Sequence, residues 1–577
     1  MCCSIRIFTL IIFSSSCTGT FTMGTNENSV VDVNTVYLAY GTADADTSNT
    51  GTLDIGGGTF RFGSFATGVL GQTNVYFRGG TIASQNATAR SMSLNFTLGR
   101  ISTAENTVTF GESSGGTGSL AFSGNATLAS NTTVEVVVPT TLSGVVSGAY
   151  NLRKTGVNVL TLSGANTYSG TTTVGGGTLT LSGSRTAAAG AITVSDTAST
   201  PATLNIQGGT FTVNTSLMAG TGNTSVTGIV NQTAGSITLA GNQLLVGNGS
   251  GGSGRYNLSG GTLTGAASAT RGVMLGVNTG RTGVFNMTGG TLAMGSSQLQ
   301  VARSEDTSAT GTTGTFDQSG GTATFGYLGI GGLDGANNAN STGNLVLTGG
   351  VFSAASFTAL SGGNSSASHI TIGGTAAVTL PAFPTARGTA STADITFDGG
   401  TLTPYAASTA YMEGLTHAYL TASGAVFIVD SGKEITIAQV MEDAAAQTGR
   451  LWKRGAGILT LTGSNTYSGS TTISAGILRP TFLAGCARWF DASCPTNFTL
   501  SGTNVVQWHD LSGNAAHATP QTGYQPTYTS NALTGTGLGA VNFDERGTLD
   551  ADTSQSLNFT RDSAIRSLFS VFKGSSF

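Results

Sequence analysis

One short phrase returns along the middle of this chain: RYNLSGGTL at 255–263, VFNMTGGTL at 284–292 and TFDQSGGTA at 315–323. Its glycine pair, or a close variant, ends at Gly209, Gly235, Gly261, Gly290, Gly321 and Gly350, so the spacing is roughly 26 to 31 residues. A fixed period of that size is the signature of an array in which each unit buries its apolar side only against its neighbours. Within a unit Phe285 and Met287 are two apart with Asn286 between them, the alternation of a strand. The paired glycines then supply a corner, and a second strand begins at the Thr that follows. A third strand, such as Leu244 to Gly247, Val273 to Val277 or Tyr327 to Ile330, completes the unit. Stacking successive units predicts an apolar column of Tyr256, Phe285 and Phe316, another of Leu263 and Leu292, and a polar column of Asn257, Asn286 and Asp317. With neighbouring strands about 4.8 Å apart, some sixteen turns would make a rod on the order of 80 Å long. The reading is an all-β, right-handed parallel β-helix.

Composition agrees. Gly supplies 87 of 577 residues, Pro only 9, and charged residues 9%, a bias that suits strands and tight turns and predicts almost no helix. A net charge of −4 without any Lys/Arg cluster excludes the electrostatic footprint of a nucleic-acid binder. Strand-like stretches separated by turns at Thr35 to Tyr40, Asn74 to Phe77 and Thr133 to Val138 extend the pattern through an irregular region, 24–150. The regular array occupies 151–480.

The N-terminus has Arg6, an apolar run Ile7 to Phe13 and small residues Ser14 to Cys17, the layout of a secretory signal within residues 1–23; Met23 offers an alternative start. No segment reaches the length of a membrane helix. Cysteines fall in two places, Cys2, Cys3 and Cys17, then Cys486 and Cys494. The last two could close a local disulfide in an oxidising compartment or remain two thiols, and neither has the partners of a zinc site.

Residues 152–179, LRKTGVNVLTLSGANTYSGTTTVGGGTL, return at 451–478 as LWKRGAGILTLTGSNTYSGSTTISAGIL. Both resemble the autotransporter-associated β-strand repeat. The residues that carry the match are Lys154, Gly156, Asn166, Thr167, Tyr168 and Gly170, and again Lys453, Gly455, Asn465, Thr466, Tyr467 and Gly469, with Asn158 in place of the family's second glycine at the expense of a little local strain. The resemblance implies an exported passenger with a structural or adhesive role at the bacterial cell surface or in the extracellular space, and no enzymatic activity. The chain is more similar to the large exported proteins of this kind that lack a C-terminal membrane barrel. Lys154 and Lys453 are expected to decorate turns, and Tyr168 and Tyr467 to sit at corners or stack.

From about Gly485 the texture changes to RWFDAS, VVQWHDLSGNAAHAT and QPTY. This resembles the opening of a concanavalin A-like, laminin G-like jelly roll, truncated at 485–577. The resemblance implies a carbohydrate-binding module, its partners polysaccharide or cell-surface glycans. Trp489, Asp491, Trp508, Asp510 and Asn514, beside His509 and His517, would form a sugar-binding face, with Ca²⁺ as the one cofactor to consider. The structural alternative makes Trp489 and Trp508 core residues and 510–514 a turn. Chemistry is otherwise thin. No histidine lies near either Asn-Thr-Tyr-Ser-Gly, so its hydroxyls lack an activating base. A polysaccharide lyase or hydrolase would need Asp398, Asp430, Glu434 and Asp443 to converge on the solenoid wall.

Overall fold

The computed structural model describes residues 4–12, 18–25, 29–39, 50–66, 71–100, 105–195, 201–221, 227–241, 243–248, 253–265, 272–277, 279–302, 311–332, 339–480, 497–509, 519–520, 526–533, 538–542 and 557–558. They form an all-β parallel β-solenoid of about 15 turns, with a small antiparallel sheet near the C-terminus. Two compact units divide the chain, Met1–Thr401 and Leu402–Phe577.

In the first unit a representative coil runs through Gly254–Leu258 on a first face, Thr262–Gly265 on a second and Val273–Leu275 on a third. Each strand pairs in parallel with its counterpart one coil on: 254–258 with Thr282–Met287, 262–265 with Thr291–Ala293, 273–275 with Gln298–Val301. Only alternate residues of a strand can point inward. Along Thr282–Met287 every second residue is buried, because a pleated strand sends successive side chains to opposite sides.

The predicted columns form. Tyr256 stacks on Phe285 at 5.0 Å between centroids and Phe285 on Phe316 at 5.2 Å, while Leu263 and Leu292 are register partners and fully buried. On the outer side of the first face, Asn231 Nδ2 donates to Asn205 Oδ1 at 2.9 Å, Asn257 to Asn231 at 2.8 Å and Asn286 to Asn257 at 2.9 Å. Asp317 follows as the register partner of Asn286. Parallel, in-register stacking places identical amides one strand apart, so each can satisfy the next.

Coil length varies. Around Leu152 the coils close in 20 residues: Asn166 Oδ1 accepts from Val146 N and Asn151 Oδ1 from Thr171 N, each one coil away. In the amide column the offset grows to 26 and then 29. The N-terminal Ser4–Ile12 pairs in parallel with Val30–Leu38, so the apolar run read as a secretory signal has the register of a solenoid strand.

The second unit contains its own parallel ladders. Ala425–Ile428, Leu451–Arg454 and Thr471–Ile473 form one; Glu434–Ile437, Ile458–Leu461 and Ile477–Pro480 form another. Further on, Phe498–Ser501, Asn504–Trp508, Thr527–Leu533 and Leu538–Asn542 make a four-stranded antiparallel sheet. Of the truncated jelly roll expected over 485–577, the described residues give this sheet and a two-stranded pairing of Thr519–Pro520 with Leu557–Asn558. Among the described residues no helix is long and apolar enough to cross a membrane.

Candidate functional site

The two copies of the Lys-Gly…Asn-Thr-Tyr-x-Gly motif are the most specific feature of the sequence, and the structure builds each into one coil. In the first copy Leu152–Thr155 sends Leu152 and Lys154 inward. Lys154 stands in a column between Val134 and Val174, where an ammonium group is costly unless its protons are bonded. It donates to the Gly156 carbonyl at 2.7 Å and to that of Gly176, in the next coil, at 2.9 Å. Lys453 repeats this between Phe427 and Ile473, donating to the carbonyls of Arg454 at 2.9 Å, Gly455 at 2.6 Å and Ala475 at 3.0 Å. Neither lysine decorates a turn, as the sequence had suggested: both are fully buried. A corner that turns its carbonyls inward needs an interior donor, and a long cationic side chain reaches two coils at once. Burial lowers the pKa of each lysine to about 8.

Two glycines make room for this contact. Gly156 (φ +77°) and its counterpart Gly455 (φ +74°) take the left-handed conformation of the corner. Gly177 and Gly476, at the closing Gly-x-Leu, also have positive φ, and a Cβ there would lie 2.6 and 2.7 Å from the lysine Nζ.

The Asn-Thr-Tyr segment forms the opposite corner. Asn166 Oδ1 accepts from Val146 N at 3.0 Å and its Nδ2 donates to Gly164 O at 3.0 Å, so one amide satisfies two coils. Asn465 accepts from Met441 N at 2.9 Å. Thr167 and Thr466 serve through their backbone: their amides donate to Val146 O and Met441 O. The Tyr168 hydroxyl meets Thr172 Oγ1 at 2.7 Å inside the core, and Tyr467 meets Thr471 Oγ1 at 2.5 Å. Gly170 and Gly469 lie where one coil's backbone presses on the previous one, at the carbonyls of Tyr150 and Gly449. Asn158 shows no left-handed strain; its side-chain amide donates to Val137 O.

Sequence reasoning missed Arg185. Its guanidinium donates to Thr172 Oγ1 at 2.6 Å and lies 5.2 Å from the Tyr168 ring centroid, closing the corner from the next coil. It also missed that Gln232 and Gln318 play the lysine's part in the central repeats. Gln232 Nε2 donates to Gly235 O at 3.2 Å and Thr262 O at 3.0 Å; Gln318 Nε2 donates to Gly321 O at 3.2 Å and Val351 O at 3.0 Å. The signal was present, since each glutamine stands three residues before a corner glycine.

Three of the carboxylates considered for chemistry are each engaged locally. Asp430 pairs with Lys433 at 3.0 Å, Glu434 with Arg479 at 2.9 Å, and Asp443 accepts from Gly449 N and Ser468 N. Hydrogen bonds from Ser468 and Gly449 hold the Asp443 carboxyl below its ordinary pKa. Among the described residues no three His, Cys, Asp or Glu side chains are grouped to hold a metal. In the C-terminal sheet Trp508 packs on Phe498, 5.1 Å between centroids, against a small core of Phe498, Val505 and Tyr528. His509 Nε2 lies 2.9 Å from Thr499 Oγ1. Trp489, Asp491, Asp510, Asn514, His517, Cys486 and Cys494 lie outside the described residues.

Residues 152–181 and 451–479 match the passenger-associated-transport-repeat family. No curated protein and no solved structure matches the chain. The matched residues are the two lysine-cornered coils, so the chain is an autotransporter-passenger-like β-solenoid that carries two passenger-associated transport repeats, and the repeats imply export.

Proposed function

We propose that this chain is an exported, non-enzymatic β-helix of the bacterial cell surface or extracellular space, with a structural or adhesive role. The observation that carries the reading is the pair of transport repeats built as regular coils of a solenoid. Their polar residues are spent on holding coils together: Lys154, Asn166 and Tyr168 all bond to the backbone or side chains of the fold itself. Such residues are not activated for reaction, and the long surface they maintain suits display. Residues 485–577 would serve as a lectin-like module for polysaccharide or cell-surface glycans, Trp489 and Asp491 among its candidate contacts.

The test is the location of a C-terminally tagged full-length chain in a Gram-negative host. Removal of the tag by protease added to intact cells, or its recovery in the medium, supports export and display; retention inside protease-resistant cells refutes it. Product released from a uronate or glucan polymer by the purified chain would refute the non-enzymatic part. Failure to retain any polysaccharide on a glycan array would remove the lectin-like role of 485–577.

A further inference from the structure

Residues 85–89 make a short bend between the strands Thr81–Ser84 and Arg90–Met92. The bend is pinned from beneath. Ser84, fully buried, donates its hydroxyl to Asn86 O at 2.5 Å and accepts from Gly118 N, one coil on, at 2.8 Å. Gly118 N also lies 3.0 Å from Asn86 O. Above this anchor Asn86, Ala87 and Thr88 are all exposed. Asn86 Oδ1 accepts from Thr88 N at 2.8 Å and from Arg90 Nη2 at 3.4 Å, so the amide is held by its oxygen. Among the described residues nothing bonds Asn86 Nδ2 or the Thr88 hydroxyl.

Asn86-Ala87-Thr88 is an Asn-x-Thr triplet, the acceptor pattern of N-linked glycosylation when it lies in a surface loop. A chain rich in Asn, Ser and Thr contains such triplets by composition alone, so their setting decides. The triplets that begin at Asn231, Asn257 and Asn286 belong to the amide column: each asparagine is half-buried in a strand and spends Nδ2 on the Oδ1 of the preceding coil. Those at Asn95 and Asn125 stand on adjacent coils, Asn95 Oδ1 accepting from Asn125 N at 2.8 Å, so a sugar on either would press on a neighbour one strand spacing, ~4.8 Å, away. Asn86 has neither constraint. Its oxygen keeps the turn while its nitrogen carries the sugar, because a substituted amide still accepts through Oδ1. The turn itself needs only the backbone N–H of residue 88, which any residue but proline supplies. The threonine hydroxyl is left for recognition.

We propose that Asn86 is an N-linked glycosylation site. In the transfer Nδ2 bonds to the anomeric carbon of a sugar diphosphate donor and the bond from that carbon to the phosphate oxygen breaks. The diphosphate leaves with the electron pair, and one Nδ2 proton passes to the transferase. The donor is a nucleoside-diphosphate sugar inside the cell or a lipid-diphosphate sugar at the membrane. The product is a bulky, solubilising group on a wall where charge is scarce, charged residues being 9% of the chain.

The experiment takes the full-length chain from the cells that make it naturally and separates surface-biotinylated and released chain from internal chain. Electron-transfer mass spectrometry then reads the tryptic peptide Gly79–Arg90, which Arg78 and Arg90 delimit. The expected result is a hexose or N-acetylhexosamine increment on Asn86 in most of the external chain, and none on Asn257 or Asn286. Thr88→Ser, which keeps a hydroxyl, should retain the sugar. Thr88→Ala should lower occupancy at least tenfold while far-UV circular dichroism is unchanged. Sugar on internal chain as well assigns the nucleoside-diphosphate donor; sugar on external chain alone assigns the lipid-diphosphate donor. An unmodified Asn86 in external chain overturns the proposal, as does a sugar on the Thr88 oxygen or undiminished occupancy in Thr88→Ala. Chain that is modified but wholly internal supports the site and refutes export. Chain that is internal and unmodified overturns both.

Discussion

Replacing Gly177 by alanine should break the lysine-cornered coil far more severely than its size suggests. At φ +62° an added Cβ would lie 2.3 Å from the Gly156 carbonyl oxygen and 2.6 Å from Lys154 Nζ. The left-handed backbone alone costs an L-residue about 1–2 kcal/mol. Making room displaces Nζ from two buried carbonyls, and charge-assisted bonds contribute about 1.5–3 kcal/mol each. The sum is about 4–8 kcal/mol. Gly280 separates the two contributions: its φ is +67°, yet nothing lies within 4 Å of its added Cβ, so Gly280→Ala should cost only the conformational part, about 1–2 kcal/mol. Stacked coils respond through their neighbours rather than as one unit, so the assay is hydrogen exchange resolved to peptides of each variant's own coil, 152–181 for Gly177→Ala and 273–287 for Gly280→Ala. Relative to wild type, exchange should accelerate more than about a hundredfold further in the first than in the second, at 1.36 kcal/mol per tenfold. Accelerations within tenfold of each other would refute the claim that the lysine contact holds this coil.

Alkaline titration probes the same group differently. With Lys154 and Lys453 lowered from 10.5 to about 8 in the folded protein, the unfolded chain binds more protons between those values. Stability should therefore rise with pH from about 8 to 10.5, by up to about 1.4 kcal/mol per pH unit per lysine; denaturation midpoints across that range should flatten in Lys154→Gln/Lys453→Gln. Phe285→Ala, which removes the ring between Tyr256 and Phe316, should cost about 3–5 kcal/mol, seen as local exchange in strands 254–258 and 313–318. Asn257→Leu interrupts two amide bonds at about 1 kcal/mol each, and should speed exchange in its coil by roughly a hundredfold or less. Trp508→Ala should loosen the sheet around Phe498 and Tyr528, seen as faster exchange at 498–508.

Much of the fold was legible because period and alternation are local. Tyr256, Phe285 and Phe316 could be assigned to one column from spacing alone, and Asn257, Asn286 and Asp317 to another. The motif residues were legible as a pattern and illegible as chemistry. A lysine beside glycine reads as a surface turn, since charge normally stays in water. Lys154 is interior because Gly156 and Gly176 turn their carbonyls toward it, and a carbonyl's direction depends on the coil above as much as on its own sequence. Arg185 was missed for the same reason: it completes the Tyr168 corner from the following coil, and no local pattern ties it there. Trp508 shows the converse limit, an aromatic that suits a sugar platform or a core equally well until Phe498 is seen against it.

The central claim, parallel coils in register, is tested most directly by engineered cross-linking in a chain whose native cysteines are replaced by serine. Thr238 and Thr264 are register partners on adjacent coils, about 4.8 Å apart as neighbouring strands and within disulfide range. Thr212 and Thr264 are two coils apart. Thr238→Cys/Thr264→Cys should oxidise to an intramolecular disulfide, identified by mass spectrometry of the linked peptides, while Thr212→Cys/Thr264→Cys should remain reduced. Equal cross-linking of both pairs, or none in the first, would contradict the register on which the solenoid and its lysine corners depend.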